Sequence, residues 1–393
     1  MTTSFERRPL RRSMVALATV AVIVGACGGD DDSTSEPTSS EPTSDTTGDA
    51  ADSTEPGADC EPIKAAFVYV GPIGDAGWTK KHDDGRLDLE AALGDCVETS
   101  YLESVPEGAE SEAVFDRLAR EGNDVIFATS FGYMDQMLAV AEKYPDVKFE
   151  HATGFKVSDN MSTYFGAAEE ARYLSGMAAA AMTESGQMGY VAAFPIPEVL
   201  RGINAFTLGA QRINPDVTVE VAWTSTWFDP VVEKEAAEAL LNGGADVIAQ
   251  HQDTPSAGEA AQTAGGYWVG YNDDMSRFAP DAWLTAPVWD WGPYYIKVVE
   301  SIRDDTWVSE QYYGNMADGL VNLAPVADVV PQDVRDQIAT VQEEIIAGTF
   351  APFTGPINDQ RGAEKVADGA VPDLGTLLGM DYFVAGVVGS ATG

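Results

Sequence analysis

The stretch Ala65–Thr79, AAFVYVGPIGDAGWT, carries the side chains best placed for chemistry. Trp78 offers a large flat face, and Asp75, three residues earlier, offers a carboxylate beside it. Further along, Phe131, Trp227 and Trp289 are candidate stacking groups. Arg201, Asn204, Asp253, Asn272 and Asp274 are candidate readers of a polar edge. Stacking of a base on an aromatic contributes roughly 1–3 kcal/mol. The edge of a buried heterocycle must meet donors and acceptors, because an unmatched amide is costly. This set points to binding of a flat, polar-edged small molecule. Plainer readings stand beside each role. Asp75 equally suits a cap on a helix that starts at Trp78. Trp78 and Phe131 equally suit simple packing, and Arg201 could pair with Glu198 one turn away. Asp229 before Pro230 reads as a helix cap and is left out of the set.

Other chemistries find little support. His82, His151 and His251 are far apart and lack ligand spacing, so no metal is expected. A lone His such as His251, although it follows a strand, is more often satisfied structure. No Ser-His-Asp or Cys-His pairing has supporting context, and no glycine-rich phosphate loop occurs. No cofactor is expected. The Asp-rich turn GYNDDM at 270–275 is the one feature that could serve a hydrolase.

Strands and turns must position these residues. Ala65–Val70 reads as a buried strand, broken by Gly71-Pro72 and followed by a helix with one apolar side. Val97–Glu103, Asp124–Thr129 and Val147–Ala152 read as further strands with helices between them. A helix is expected from Thr163 to about Met182. The pattern then restarts with strands at Gly189–Ala193, Thr218–Trp223, Asp246–Gln250 and Tyr267–Gly270. Strict β-α alternation implies mostly parallel sheets covered on both faces. Two such series in tandem imply two lobes of like fold. All the candidates except Arg201 and Asn204 follow the carboxyl end of an expected strand, where open α/β sheets bind ligands. Arg201 and Asn204 share one face of a helix.

The chain has 393 residues, long enough for two domains, and a formal charge of −40 from 23 basic and 63 acidic side chains. That balance excludes the basic footprint of nucleic-acid binding. Residues 1–26 read as a signal peptide: Arg7, Arg8, Arg11 and Arg12 precede an apolar run from Met14 to Val24. Val24-Gly25-Ala26-Cys27 resembles a bacterial lipobox, which implies a lipid on Cys27; a plain secretory signal or an uncleaved anchor are the alternatives. Arg11-Arg12 also hints weakly at twin-arginine export. Residues 27–60 read as an acidic, low-complexity tether. Cys60 and Cys96 precede the first two strands. If those strands are parallel neighbours, the two thiols lie within disulfide reach in an exported protein.

Several phrases together carry a resemblance: VYVGPIGDAGWT, ATSFGYMD, FEHATG, FPIPEVLRGINAFTLGA, GADVIAQHQDTP, LTAPVWDWGPYY and AGTFAPFTGPI. In this order, over about residues 63–390, they resemble the basic membrane protein family of substrate-binding lipoproteins of ABC importers. The resemblance implies a type I periplasmic-binding fold, two doubly wound lobes joined by three crossovers. Lobe one would be 61–160 plus 289–318, and lobe two 161–288 plus 319–388, with crossovers near Asp159, Val288 and Ala317. It implies a lipid-anchored, monomeric receptor on the outer face of the membrane that hands a purine to a permease and its ATPase. In the family's nucleoside receptors, two aromatics sandwich the base and an Asp reads its edge. A further Asp and a Lys hold the ribose. Here Trp78 stands at the first-lobe aromatic, Asn272 at the first acidic position of the ribose turn, Asp274 at the second, and Trp289 where the Lys is expected. Asn and Trp hold a diol less well than a carboxylate. These departures favour a free base such as adenine or hypoxanthine, with a nucleoside next. A nucleoside-processing hydrolase and a non-transporting purine sensor are the alternatives.

Overall fold

The computed structural model describes residues 60–393. The expected signal peptide, Cys27 and nearly all of the tether lie outside the described residues.

Strand and helix alternate through β1 (Ile63–Val68), α1 (Trp78–Leu93), β2 (Val97–Leu102), α2 (Ala109–Arg120), β3 (Val125–Ala128), α3 (Met134–Ala141), β4 (Lys148–Ala152) and β5 (Met161–Gly166). Then follow α4 (Ala168–Met182), β6 (Gln187–Ala192), α5 (Pro197–Ile213), β7 (Thr218–Trp223), α6 (Pro230–Asn242), β8 (Val247–His251), α7 (Ser256–Ala264), β9 (Tyr267–Val269) and β10 (Trp283–Thr285). The remainder holds β11 (Pro287–Trp289), α8 (Gly292–Arg303), β12 (Gln311–Gly314), β13 (Val321–Leu323) and α9 (Gln332–Ile346). It closes with β14 (Ile357–Asn358), β15 (Glu364–Val366), α10 (Leu374–Leu378) and β16 (Val387–Val388).

Two six-stranded sheets result, ordered β12-β5-β4-β3-β1-β2 and β10-β9-β8-β6-β7-β16. Every pairing within them is parallel. Parallel strands covered on both faces read as continuous apolar runs. All four residues of β3, VIFA, are buried accordingly. In the first lobe α2 and α3 pack together over one face, and α1 and α8 over the other. In the second lobe α6 and α7 cover one face and α4 and α5 the other.

The chain passes between the sheets three times, after β5, after β10 and after β12. At the hinge β11 pairs antiparallel with β13. The first passage differs from expectation. Residues 161–166 are strand β5 of the first sheet, seated between β4 and β12, and so belong to lobe one. The Ala-rich periodicity of α4 had carried the expected helix back to Thr163. Thr163, Tyr164 and Phe165 instead follow the preference of β-branched and aromatic residues for a pleated surface. The crossover therefore follows Gly166 rather than lying near Asp159.

Cys60 and Cys96 are joined in a disulfide. Register supplies the reason: Ile63 lies opposite Val97, so the starting ends of β1 and β2 are side by side.

Candidate functional site

The carboxyl ends of both sheets face each other across a cleft. The first lobe contributes Val70 and Trp78 after β1, Ser130 and Phe131 after β3, and Thr153 after β4. The second contributes Glu198 at the start of α5, Trp227 after β7, His251 and Asp253 at and beyond the end of β8, and Tyr271 after β9. About 340 Å³ between them is not filled by protein atoms, part of it open to solvent. A second hollow shares Phe131, Thr153 and Glu198 with the first and continues past Arg201 and Tyr313.

Trp78 is held firmly. Its indole Nε1 donates to the Thr129 carbonyl at 2.6 Å, and its ring meets His82, Trp291 and Trp289 edge to face. Phe131 and Trp227 are half-buried at the cavity wall. Among the described residues Trp227 Nε1 has no hydrogen-bond partner, nor does the Thr153 hydroxyl. Both can address a guest. Ser130 is oriented through its hydroxyl, which donates to Glu107 at 2.5 Å.

Asp253 is buried at the cavity, and its Oδ1 accepts from Asn272 Nδ2 at 3.0 Å. Burial first, then the nearby Asp75 and Glu233, pushes its carboxyl well above the usual carboxylate range. Burial pushes Glu198 up to about 7, against the pull of Arg201. Near neutral pH each can stand as a neutral acid, offering one donor and one acceptor side by side. That pairing complements a heterocycle edge on which an N–H adjoins a ring nitrogen or carbonyl. His251 is kept neutral, its pKa lowered by burial and by Arg172 and Arg201.

The other candidates lie elsewhere. Asp75 is spent on the helix behind the cavity, accepting from the backbone N–H groups of Gly77 at 2.8 Å, Thr79 at 2.8 Å and Lys80 at 3.0 Å. Its carboxyl is raised by burial, and those three bonds oppose the rise. Arg201 pairs with Glu169 of α4 at 3.1 Å rather than with Glu198, and borders the second hollow. Asn204 faces the C-terminal segment, donating to the Tyr382 carbonyl at 2.8 Å and accepting from Val384 N at 3.0 Å. Asp274 is exposed and caps its own turn through Ser276 N. Asn272 and Trp289 are joined to each other, Trp289 Nε1 donating to Asn272 Oδ1 at 3.0 Å. Asn272 holds this pose with φ 72°, a left-handed conformation that Asn tolerates.

Sequence reasoning passed over Glu198 as a mere partner for Arg201, set His251 aside as structure, and did not single out Val70, Ser130, Thr153 or Tyr271. The strand-end rule that found Trp78 and Asp253 applies equally to Ser130, His251 and Tyr271. Among the described residues no group of His, Cys, Asp and Glu could hold a metal ion, and no helix is long and apolar enough to cross a membrane.

A family model described as ABC transporter substrate-binding protein, PnrA-like, matches residues 63–352. The chain is 49% identical over 327 residues to a purine-binding protein of Brucella abortus, covering 83% of this chain and 93% of that one. It is 44% identical over 325 residues to a Haloferax volcanii protein whose name assigns it, provisionally, to glucose binding in an ABC transporter, covering 82% of each. Among solved structures, a solute-binding protein of an ABC transporter system from Aeropyrum pernix K1 superposes with a TM-score of 0.67 at 18% identity. That likeness covers 80% of this chain and 95% of the other.

Proposed function

Because the chain belongs to the PnrA-like family of ABC transporter substrate-binding proteins, we propose that it captures a purine in the interlobe cleft and presents it to a permease. The observation that carries this reading is the cavity's make-up. Aromatic faces come from both lobes, Trp78 and Phe131 from one and Trp227 from the other, around the carboxyls of Glu198 and Asp253, whose proton affinity burial raises. A purine presents two faces and a donor–acceptor edge, which such a cavity matches. The purine-binding relative at 49% identity supports the same class.

A free base is favoured over a nucleoside. Asn272 and Trp289, at the expected ribose positions, satisfy each other and Asp253, which leaves few groups for a diol. The protein works outside the cytoplasm, as a substrate-binding component does. A lipid on Cys27, with the acidic stretch after it as a leash, and a monomeric state complete the proposal. The chemistry is binding, as in the relatives.

Calorimetry with adenine, hypoxanthine, adenosine, inosine and glucose side by side tests the reading. A purine base should bind most tightly. Tighter adenosine or inosine binding overturns the preference for a base. Glucose as the sole ligand overturns the purine class and favours the reading carried by the haloarchaeal relative's name.

A further inference from the structure

A bare base held among Trp78, Phe131 and Trp227 leaves the second hollow free. That hollow adjoins the ligand cavity through Phe131, Thr153 and Glu198, which line both. About 480 Å³ in it is not filled by protein atoms, part of it open to solvent, against about 340 Å³ in the first. Its walls are chiefly apolar. The first lobe supplies Phe155, Phe165 and Tyr313, and the second Pro197, with Leu378 at the end of α10. The ring centre of Phe131 lies 6.4 Å from that of Phe155, so an aromatic wall runs on from the base site into the hollow. Phe155 is 56% exposed and Leu378 half-buried, which leaves apolar surface for a guest to cover. Covering it is favourable in proportion to its area.

The polar groups of the hollow limit what can enter. Its cation, Arg201, is already answered: Nε donates to Glu169 at 3.1 Å and Nη1 to the Leu377 carbonyl at 3.1 Å. A phosphate or carboxylate would compete with Glu169 for that charge and stand beside a second carboxyl, Glu198. A diol needs an acceptor for its two protons. Glu169 is occupied there too, by the Tyr313 hydroxyl at 2.9 Å. The remaining polar atoms are two hydroxyls, of Thr153 and Thr163, without a partner among the described residues. They suit an isolated oxygen on an otherwise apolar group.

On the purine reading given above, we propose that the cleft takes a substituted purine, with the base in the first cavity and an uncharged, flat, chiefly apolar side group in the second. Phe131 stands at the junction and meets both parts. Phe155, Phe165, Tyr313 and Leu378 then select among purines by their side group, while Trp78 and Trp227 recognise the ring system common to all.

Calorimetry on the full chain compares adenine, adenine benzylated on its exocyclic amine, adenine benzylated on its imidazole ring, and adenosine. One of the two benzyl derivatives should bind at least about tenfold more tightly than adenine, since a Phe-sized group leaves water. A Leu378→Trp variant narrows the hollow from the α10 side. Leu378 lines the second hollow and not the first. In that variant the benzyl gain should vanish and adenine should bind as to the natural chain. If adenine binds and neither benzyl derivative gains, the side-group proposal is overturned and the purine reading stands. A gain for adenosine alone overturns it in favour of a sugar in the hollow. A benzyl gain that persists in the variant places the group elsewhere and overturns it as well. If no purine binds, both readings fall together. Should the variant fail to fold, the comparison on the natural chain still decides.

Discussion

At the scale of single residues, the cavity rests on Trp78. Its indole is fixed by the Thr129 carbonyl and by edge-to-face neighbours, so its open face costs little to order for a guest. Trp78→Ala should weaken purine binding by at least about tenfold, in line with base-stacking losses, while circular dichroism stays unchanged. Full affinity in a folded variant would return Trp78 to a packing role. Glu198 and Asp253 add a pH dependence. Glu198 moves from its ordinary 4.5 up to about 7 in the closed cleft, and Asp253 also moves upward. A raised carboxyl binds protons more tightly in the closed form. Its contribution is therefore full below about pH 4.5 and is lost as pH rises through about 7. Calorimetry from about pH 4 to 8.5 should show affinity falling between about pH 4.5 and 7, by up to about tenfold per pH unit for one proton, and Glu198 adding no further fall above about 7. Glu198→Gln, fixed in the neutral shape, should flatten part of that fall. A flat profile in the natural chain would remove both carboxyls from recognition. Cavity placement was legible for Trp78, Phe131, Trp227 and Asp253 because each follows the end of a strand. It was not legible for Asn204, whose partners lie between 176 and 180 residues further along the chain. Nor was it for Glu198, which shows its worth only when both lobes bury it.

At the scale of elements, the turn between β1 and α1 limits how far the lobes can close. Gly77 lies against the second lobe. A Cβ there would stand 2.6 Å from the Asp253 carbonyl oxygen and 3.0 Å from its Cα, and that neighbour is backbone, not a movable side-chain tip. Close by, Lys80 of α1 reaches across to Asp273 at 3.2 Å. Gly77→Ala should hold the lobes apart. Ligand affinity should fall by at least about tenfold, or 1.4 kcal/mol, and small-angle scattering with ligand present should report a larger radius of gyration than for the natural chain. A variant that closes and binds normally would show that the loop gives way. The alternation of strands and helices was readable because central strands such as β3 are apolar throughout and helices show one apolar face. The exception, β5, shows the limit of that signal. Its neighbour α4 is so rich in Ala that helical periodicity extends into four residues of β5, Thr163 to Gly166, whose strand character depends on pairing with β4 and β12.

At the scale of the whole molecule, two sheets built from interleaved segments share a hinge ribbon; the resemblance supplied three crossovers that periodicity alone could not locate, but set the first before β5 instead of after it. The cysteine pair, by contrast, followed from strand order and exported chemistry. Replacing Cys60 and Cys96 together by Ser should lower stability by roughly 2–4 kcal/mol, read as a drop in the urea midpoint, with ligand affinity in the folded protein unchanged. An unaltered midpoint would make the bridge dispensable. Its position has a further, mechanical consequence. The bridge lies where the preceding chain enters β1, at the edge of the sheet opposite the cleft. Tension arriving along that chain meets a covalent link and is divided between two strands before it can peel β1 from its neighbours. Under the proposed anchoring through Cys27, the disulfide would act as a strain relief, and a pull on residue 60 would leave the ligand turn undisturbed.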